Sequence, residues 1–117
     1  MANVFTQAGE EWVIDQIDAF GTFYIGWGTG AGTAAKNSTT LFTEASEARV
    51  AATKSQPTAD KLQWVGTLTC AGSGKTITNA GVFTASAAGT LLVHGDHTGV
   101  ALAVGDKIEY TISLEQT

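Results

Sequence analysis

From residue 61 to residue 115 the chain alternates apolar and polar side chains in short runs that glycine-rich segments interrupt. The clearest run is 107–115, KIEYTISLE, which puts Ile108, Tyr110, Ile112 and Leu114 on one side and Lys107, Glu109, Thr111, Ser113 and Glu115 on the other. A period of two is the signature of a β-strand with one buried face. Residues 61–70 repeat it, with Leu62, Trp64, Leu68 and Cys70 sharing a face. Residues 71–75, AGSGK, predict a hairpin turn, and 76–84 its return strand with a bulge at Gly81. A turn at 85–89, a strand at 90–97, and a short apolar run at 98–105 closed by Val104-Gly105-Asp106 complete this half. Short strands with turn signals at this spacing predict an antiparallel sandwich or barrel. With 117 residues, no internal repeat and no linker, the chain reads as a single domain, 1–117.

The first half carries the one helical period. In EEWVIDQIDAF, 10–20, Val13, Ile14, Ile17 and Phe20 are read as the packed face and Glu11, Asp15 and Asp18 as the solvated one. Gly21 is the expected stop. Thr22–Trp27 reads as a strand, 28–40 as a small polar loop, 41–55 as extended, and 56–60 as a turn around Pro57. Residues 1–9 hold Val4 and Phe5 but no element that follows from them directly. They are expected to form a docking arm that orders on a partner.

Charge narrows the function classes. The formal net charge is −5, and only 15% of residues are charged, against about 25% in typical domains. The six basic residues, Lys36, Arg49, Lys54, Lys61, Lys75 and Lys107, are scattered, so no nucleic-acid backbone site is expected. Sparse charge instead suggests surface that a partner covers. The lone Cys70 cannot form an internal disulfide and reads as a small buried hydrophobe, compatible with a reducing compartment. No apolar run approaches membrane-span length, so no membrane partner is expected. The start, MANVFTQAGEEW, lacks a secretory pattern and predicts synthesis in a cytosol without export by the general route.

Four stretches imitate chemistry. GWGTGAG, 26–32, has glycine at every second position. The dinucleotide fingerprint requires a helix immediately after it, and here a threonine-rich loop follows. The glycines therefore read as a strand ending in a bent loop. Gly72-Ser73-Gly74-Lys75-Thr76 imitates the end of a phosphate-binding loop but has Thr69 where the first glycine belongs, and again no helix follows. His94-Gly95-Asp96-His97 is the only histidine cluster. Metal ligation, a protonation-sensitive contact, and ordinary histidines at a strand end or turn are all open to it. Glu44 and Glu47 could flank a substrate, Glu47 could pair with Arg49, or all could sit on a solvated face. No nucleophile elbow is present. The residues predict neither catalysis, nor cofactor, nor resident metal.

The runs YIGWGTGAGTAAKNSTTLFTEASEARV, WVGTLTCAGSGKTITNAGVF and LLVHGDHTGVALAVGDKIEYTISL together resemble small virion proteins of tailed bacteriophages. The shared features are an IGWGTG element, a T-x-L-x-x-E segment, E-x-R, a V-G-T-x-T hairpin and a closing G-D turn. Asn79 stands where the pattern usually has Glu. The resemblance covers about residues 10–115 and points to capsid decoration (cement) proteins; related sequences are also labelled tail-fibre proteins. It implies a jelly-roll-like β-sandwich with one short N-terminal helix. It also implies a homotrimer on the outer head surface of the virion, bound to the major capsid protein and stabilising the shell by bridging its subunits. The alternative is a tail-fibre or receptor-binding module. The expected partner contacts are Val4, Phe5, Trp27, Lys36, Asn37, His94 and His97. Trp12, Trp27 and Trp64 are expected in the core or a subunit interface.

Overall fold

The computed structural model describes residues 1–116. One helix, α1 (Gln7–Phe20), precedes β1 (Tyr24–Gly28), β2 (Val50–Ala51), β3 (Thr53–Thr58), β4 (Lys61–Thr69), β5 (Lys75–Phe83), β6 (Leu91–Leu102) and β7 (Lys107–Glu115). Two sheets, ordered β2-β1-β5-β6 and β3-β4-β7, face each other. All strand pairings are antiparallel. The protein is a mainly-β antiparallel sandwich with a single N-terminal helix.

Sequence alternation explains the core. Ile25 and Trp27 of β1 stand opposite Val82 and Ala80 of β5, and all four side chains point inward. They meet Leu62, Trp64 and Leu68 of β4 across the sandwich, while Ile14 of α1 closes one end. Cys70 is buried with them, as expected. The outer face of β1 and β5 is buried as well. Residues 41–49 cross it: Arg49 stacks its guanidinium 3.4 Å from the Phe83 ring centre, and Asn79 clamps the backbone of Phe42. Covering both faces is why β5 ends in an unbroken buried run.

The glycines of 26–32 serve this crossing. Thr29 N–H donates to Thr43 O (3.0 Å) and Gly30 N–H to Phe42 O (2.8 Å). A Cβ on Gly28 would stand 2.5 Å from Phe42 O, inside contact distance. Close backbone approach, rather than a bent loop, fixes glycine there.

Other expectations are corrected. The helix begins at Gln7 instead of residue 10, because the Thr6 side chain accepts from Gly9 N–H and caps it. Phe20 does not join the packed face; it is 61% exposed. Pro57 lies within β3 instead of centring a turn, tolerated because β3 is an edge strand with a register shift at that point. Residues 71–74 are not a hairpin turn. β4 and β5 belong to different sheets, so this segment carries the chain across the sandwich. β6 runs unbroken to Leu102, and its register shifts fall beside Thr78 and at Val82/Phe83 rather than at Gly81. Gly81 instead admits Leu91 and Leu41, which crowd the position a Cβ would take.

Candidate functional site

The four edge strands are unequal. β2 has only two residues, and β3 carries Lys54 and Pro57, both devices that discourage added strands. β6 is twelve residues long and contains no Lys, Arg or Pro. β6 and β7 are joined by a tight turn in which Asp106 accepts from Ala103 N–H through Oδ2 (2.9 Å). They end the two sheets on the same side of the sandwich.

Between them the sandwich is open. The inward row of β7, Ile108, Tyr110, Ile112 and Leu114, is only half-buried, as are Leu92 and Val93 of β6. Contiguous clefts of about 630, 330 and 630 Å3 follow this seam. The first lies between Ala34–Lys36, β6 and Leu114. The others share His97, Tyr110 and Thr111. With twelve residues at about 3.3 Å each, β6 gives this flank a length of at most about 40 Å.

Both histidines lie in mid-strand on this flank, which replaces the expected strand end or turn. They are held as opposite tautomers. Asn79 Oδ1 accepts from Phe42 N–H (3.0 Å) and its amide donates to Phe42 O (3.1 Å), fixing its orientation. His94 Nε2 must then donate to Asn79 Oδ1, at 3.1 Å. The His94 ring packs on Phe42, with centres 4.7 Å apart, and its buried Nδ1 has no hydrogen-bond partner. Burial holds its pKa below the usual value, opposed by the nearby Asp96 carboxylate. His97 Nδ1 donates to Thr98 O (2.8 Å), and its Nε2 accepts from the Tyr110 hydroxyl (2.9 Å). Burial pushes the Tyr110 pKa up to about 12, so that hydroxyl remains a donor. No three Cys, His, Asp or Glu side chains come together to hold a metal among the described residues.

Lys36 and Asn37 form the tip of a turn beside this flank. Ser38 N–H donates to Ala35 O (3.0 Å), and Asp96 Oδ1 accepts from Ala34 N–H (2.8 Å), tying the loop to β6. The structure thus places Lys36 and His94 on one cleft, with Asn37 beside Lys36 in the turn, and His97 on the neighbouring clefts with Tyr110. It does not bring the other three expected contacts there. Val4 and Phe5 are exposed before α1. Trp27 is fully buried and presents nothing to a partner: its indole points into the core and donates to Glu47 Oε1 (3.2 Å).

The remaining chemical candidates are occupied internally. Arg49 pairs with Glu44 through two hydrogen bonds of 2.8 and 2.9 Å, not with Glu47. It also donates to Ala85 O and Ala88 O, pinning the 85–89 turn. Glu47, with a side chain 7% exposed, pairs with Lys75 and accepts from Ala71 N–H (2.9 Å). Burial alone would raise its pKa. The Ala71 amide, the Lys75 ammonium and the Trp27 indole outweigh that and hold it at about 2. Lys75 is therefore committed to Glu47 and Ala71 O. No helix among the described residues is long and apolar enough to cross a membrane.

No protein-family model, curated protein or solved structure matches this chain.

Sequence reasoning missed Asn79 and Tyr110 as parts of the site. A polar amide inside the apolar run of β5 was the available signal for Asn79, because a buried amide requires partners. Tyr110 was counted as an ordinary inward residue of β7.

Proposed function

We propose that this is a structural virion protein, a capsid decoration protein that binds the outer surface of a bacteriophage head and bridges subunits of the major capsid protein. The observation that carries the reading is the open β6–β7 flank: a long edge strand without Lys, Arg or Pro beside a half-buried apolar row. An edge of this kind offers backbone hydrogen bonds and side-chain pockets to an extended segment of a neighbour. The sequence resemblance to decoration proteins supports the same reading, including a homotrimer with no enzymatic role. The flank and the adjoining Lys36–Asn37 turn are the surfaces assigned to neighbouring chains in that assembly. The internal ion pairs at Glu44–Arg49 and Glu47–Lys75 hold the framework behind this surface.

A tail-fibre or receptor-binding module remains the competing reading. Immunogold electron microscopy of parent virions with antibody to the recombinant protein separates them. Label over the heads supports decoration, and the next measurement is whether shells lacking the protein burst at lower temperature or lower ionic strength. Label confined to the tail overturns the proposal.

A further inference from the structure

Five of the seven strongly exposed large hydrophobics fall in the first twenty residues: Met1, Val4, Phe5, Trp12 and Phe20. At 100° per residue, Phe5, Ala8, Trp12, Gln16, Ala19 and Phe20 would all project between about −40° and +80° of Trp12, with Asp15 bordering them at about −60°. All six are exposed. The opposite side of α1 buries Ile14. The acids lie on a third side, where Gln56 donates to Asp15 (3.1 Å) and Lys54 pairs with Asp18 (3.5 Å). The helix thus presents one packed face, one acidic flank tied to β3, and one mostly apolar stripe facing out, with Gln16 its polar member.

A cleft of about 280 Å3 opens along this stripe, between α1 and the ends of β1, β5 and β6; Trp12, Ile17, Phe20, Phe23 and Leu92 are among its walls. Phe20 and Phe23 stack 5.1 Å apart within it. Phe5 belongs to the same stripe but cannot enter its own cleft. It sits directly before the Thr6 cap with its ring over Gly9, where an added Cβ would meet it at 2.8 Å. The cleft lies a further one to three helical turns along α1.

We propose that the stripe is a self-association surface, in which α1 packs antiparallel against α1 of a second copy about a two-fold axis at Trp12. The register is self-complementary: Phe5 lies seven residues before Trp12 and Phe20 eight after it. Antiparallel pairing centred on Trp12 therefore delivers each Phe5 to the Phe20–Phe23 cleft of the other copy, as a two-fold interface requires. The area is sufficient only with the arm. Taking roughly 200 Å2 for an aromatic side chain, the three aromatics leave about 370 Å2 exposed per copy. Met1 and Val4 bring the strip toward the ~800 Å2 per partner of a standard interface. This contact goes beyond the decoration reading and uses a different surface from the β6–β7 flank.

The test is disulfide capture on the purified full-length chain under mild oxidation, with folding checked by circular dichroism. Cys70 is buried and does not interfere. Trp12→Cys is expected to cross-link with itself. Phe5→Cys mixed with Phe20→Cys is expected to form the mixed dimer, while neither cross-links efficiently alone. Thr58→Cys, exposed on β3, is the background control. Sedimentation should show that deleting residues 2–5 weakens association at least about tenfold. Self-linking of Phe20→Cys, or Trp12→Cys linking no faster than the control, overturns the two-fold antiparallel contact. So does wild-type protein whose sedimentation is unchanged on deleting the arm; the stripe would then belong to a different partner.

Discussion

Replacing Glu47 by Gln tests the buried ion pair that ties the 41–49 crossing to the start of β5. The variant keeps an acceptor for Ala71 N–H but leaves Lys75, whose side chain is 13% exposed, without its counter-charge. The magnitude follows from linkage. The Glu47 carboxyl is held at about 2 against an ordinary 4.5, and each unit of difference is worth about 1.4 kcal/mol. The Ala71 amide, the Lys75 ammonium and the Trp27 indole around this carboxylate together contribute on the order of 3 kcal/mol at neutral pH. That is a large share of the roughly 6–17 kcal/mol expected of a chain this long. The sign is set by the depressed folded value. The contribution is complete above pH 4.5 and is lost as pH falls toward 2, because the unfolded chain takes up the proton first. Urea unfolding of wild type and Glu47→Gln at closely spaced pH values from 7 to 2 measures it. Because Gln still accepts from Ala71 N–H, the variant is expected to be less stable at pH 7 by up to about 3 kcal/mol, with the difference shrinking steadily below pH 4.5. Other carboxylates titrate in both proteins and cancel in the comparison. A difference below about 0.5 kcal/mol at pH 7, the range of exposed pairs, refutes the reasoning. A difference that does not change with pH refutes it equally.

Three further outcomes are expected. His94, held below its ordinary pKa by burial, makes stability fall as pH drops below 6.5, where the unfolded chain protonates first; His94→Gln, which can still donate to Asn79, should flatten that part of the stability profile. Asn79→Leu strands Phe42 N–H and His94 Nε2 and leaves Phe42 O with Gly30 N–H alone, and at about 1–3 kcal/mol for each buried group left unpaired it should destabilise strongly and speed amide exchange at Thr29, Gly30 and Phe42. Gly28→Ala puts a methyl group 2.5 Å from Phe42 O, so the crossing must lift; loss of slow exchange at Thr29 and Gly30 with the core retained is the expected signature.

What the sequence made legible was whatever depends on neighbours along the chain. The β7 alternation placed Ile108, Tyr110, Ile112 and Leu114 on one face, and Gly21 stopped the helix where expected, with φ +123°. What it hid depends on segments far apart. The glycines of 26–32 looked like a bend because their cause, the backbone of Phe42 and Thr43, lies more than ten residues away. Residues 71–74 have the composition of a hairpin turn, and composition does not say whether the next strand joins the same sheet. Phe20 was assigned to the packed face because a helix with two apolar stripes reads as one broad stripe when only spacing is counted. At the candidate site, Lys36, Asn37, His94 and His97 were identifiable singly, but their meeting on one flank was not. It requires the Asp96–Ala34 hydrogen bond, which joins residues 62 positions apart.

The same interactions explain why apolar surface remains where it does. The outer face of β1 and β5 would be an exposed apolar sheet if 41–49 did not cover it. That cover is fastened by Arg49 on Phe83, Glu47 on Lys75 and Asn79 on Phe42. Among the described residues, no comparable segment covers the flank between β6 and β7 or the outward stripe of α1. A chain with only 15% charged residues that fixes one of its faces with two ion pairs and a buried amide has the means to close the others. The proposed decoration role and the proposed α1 contact would each use one of these two elongated, weakly charged surfaces, which lie apart on the sandwich.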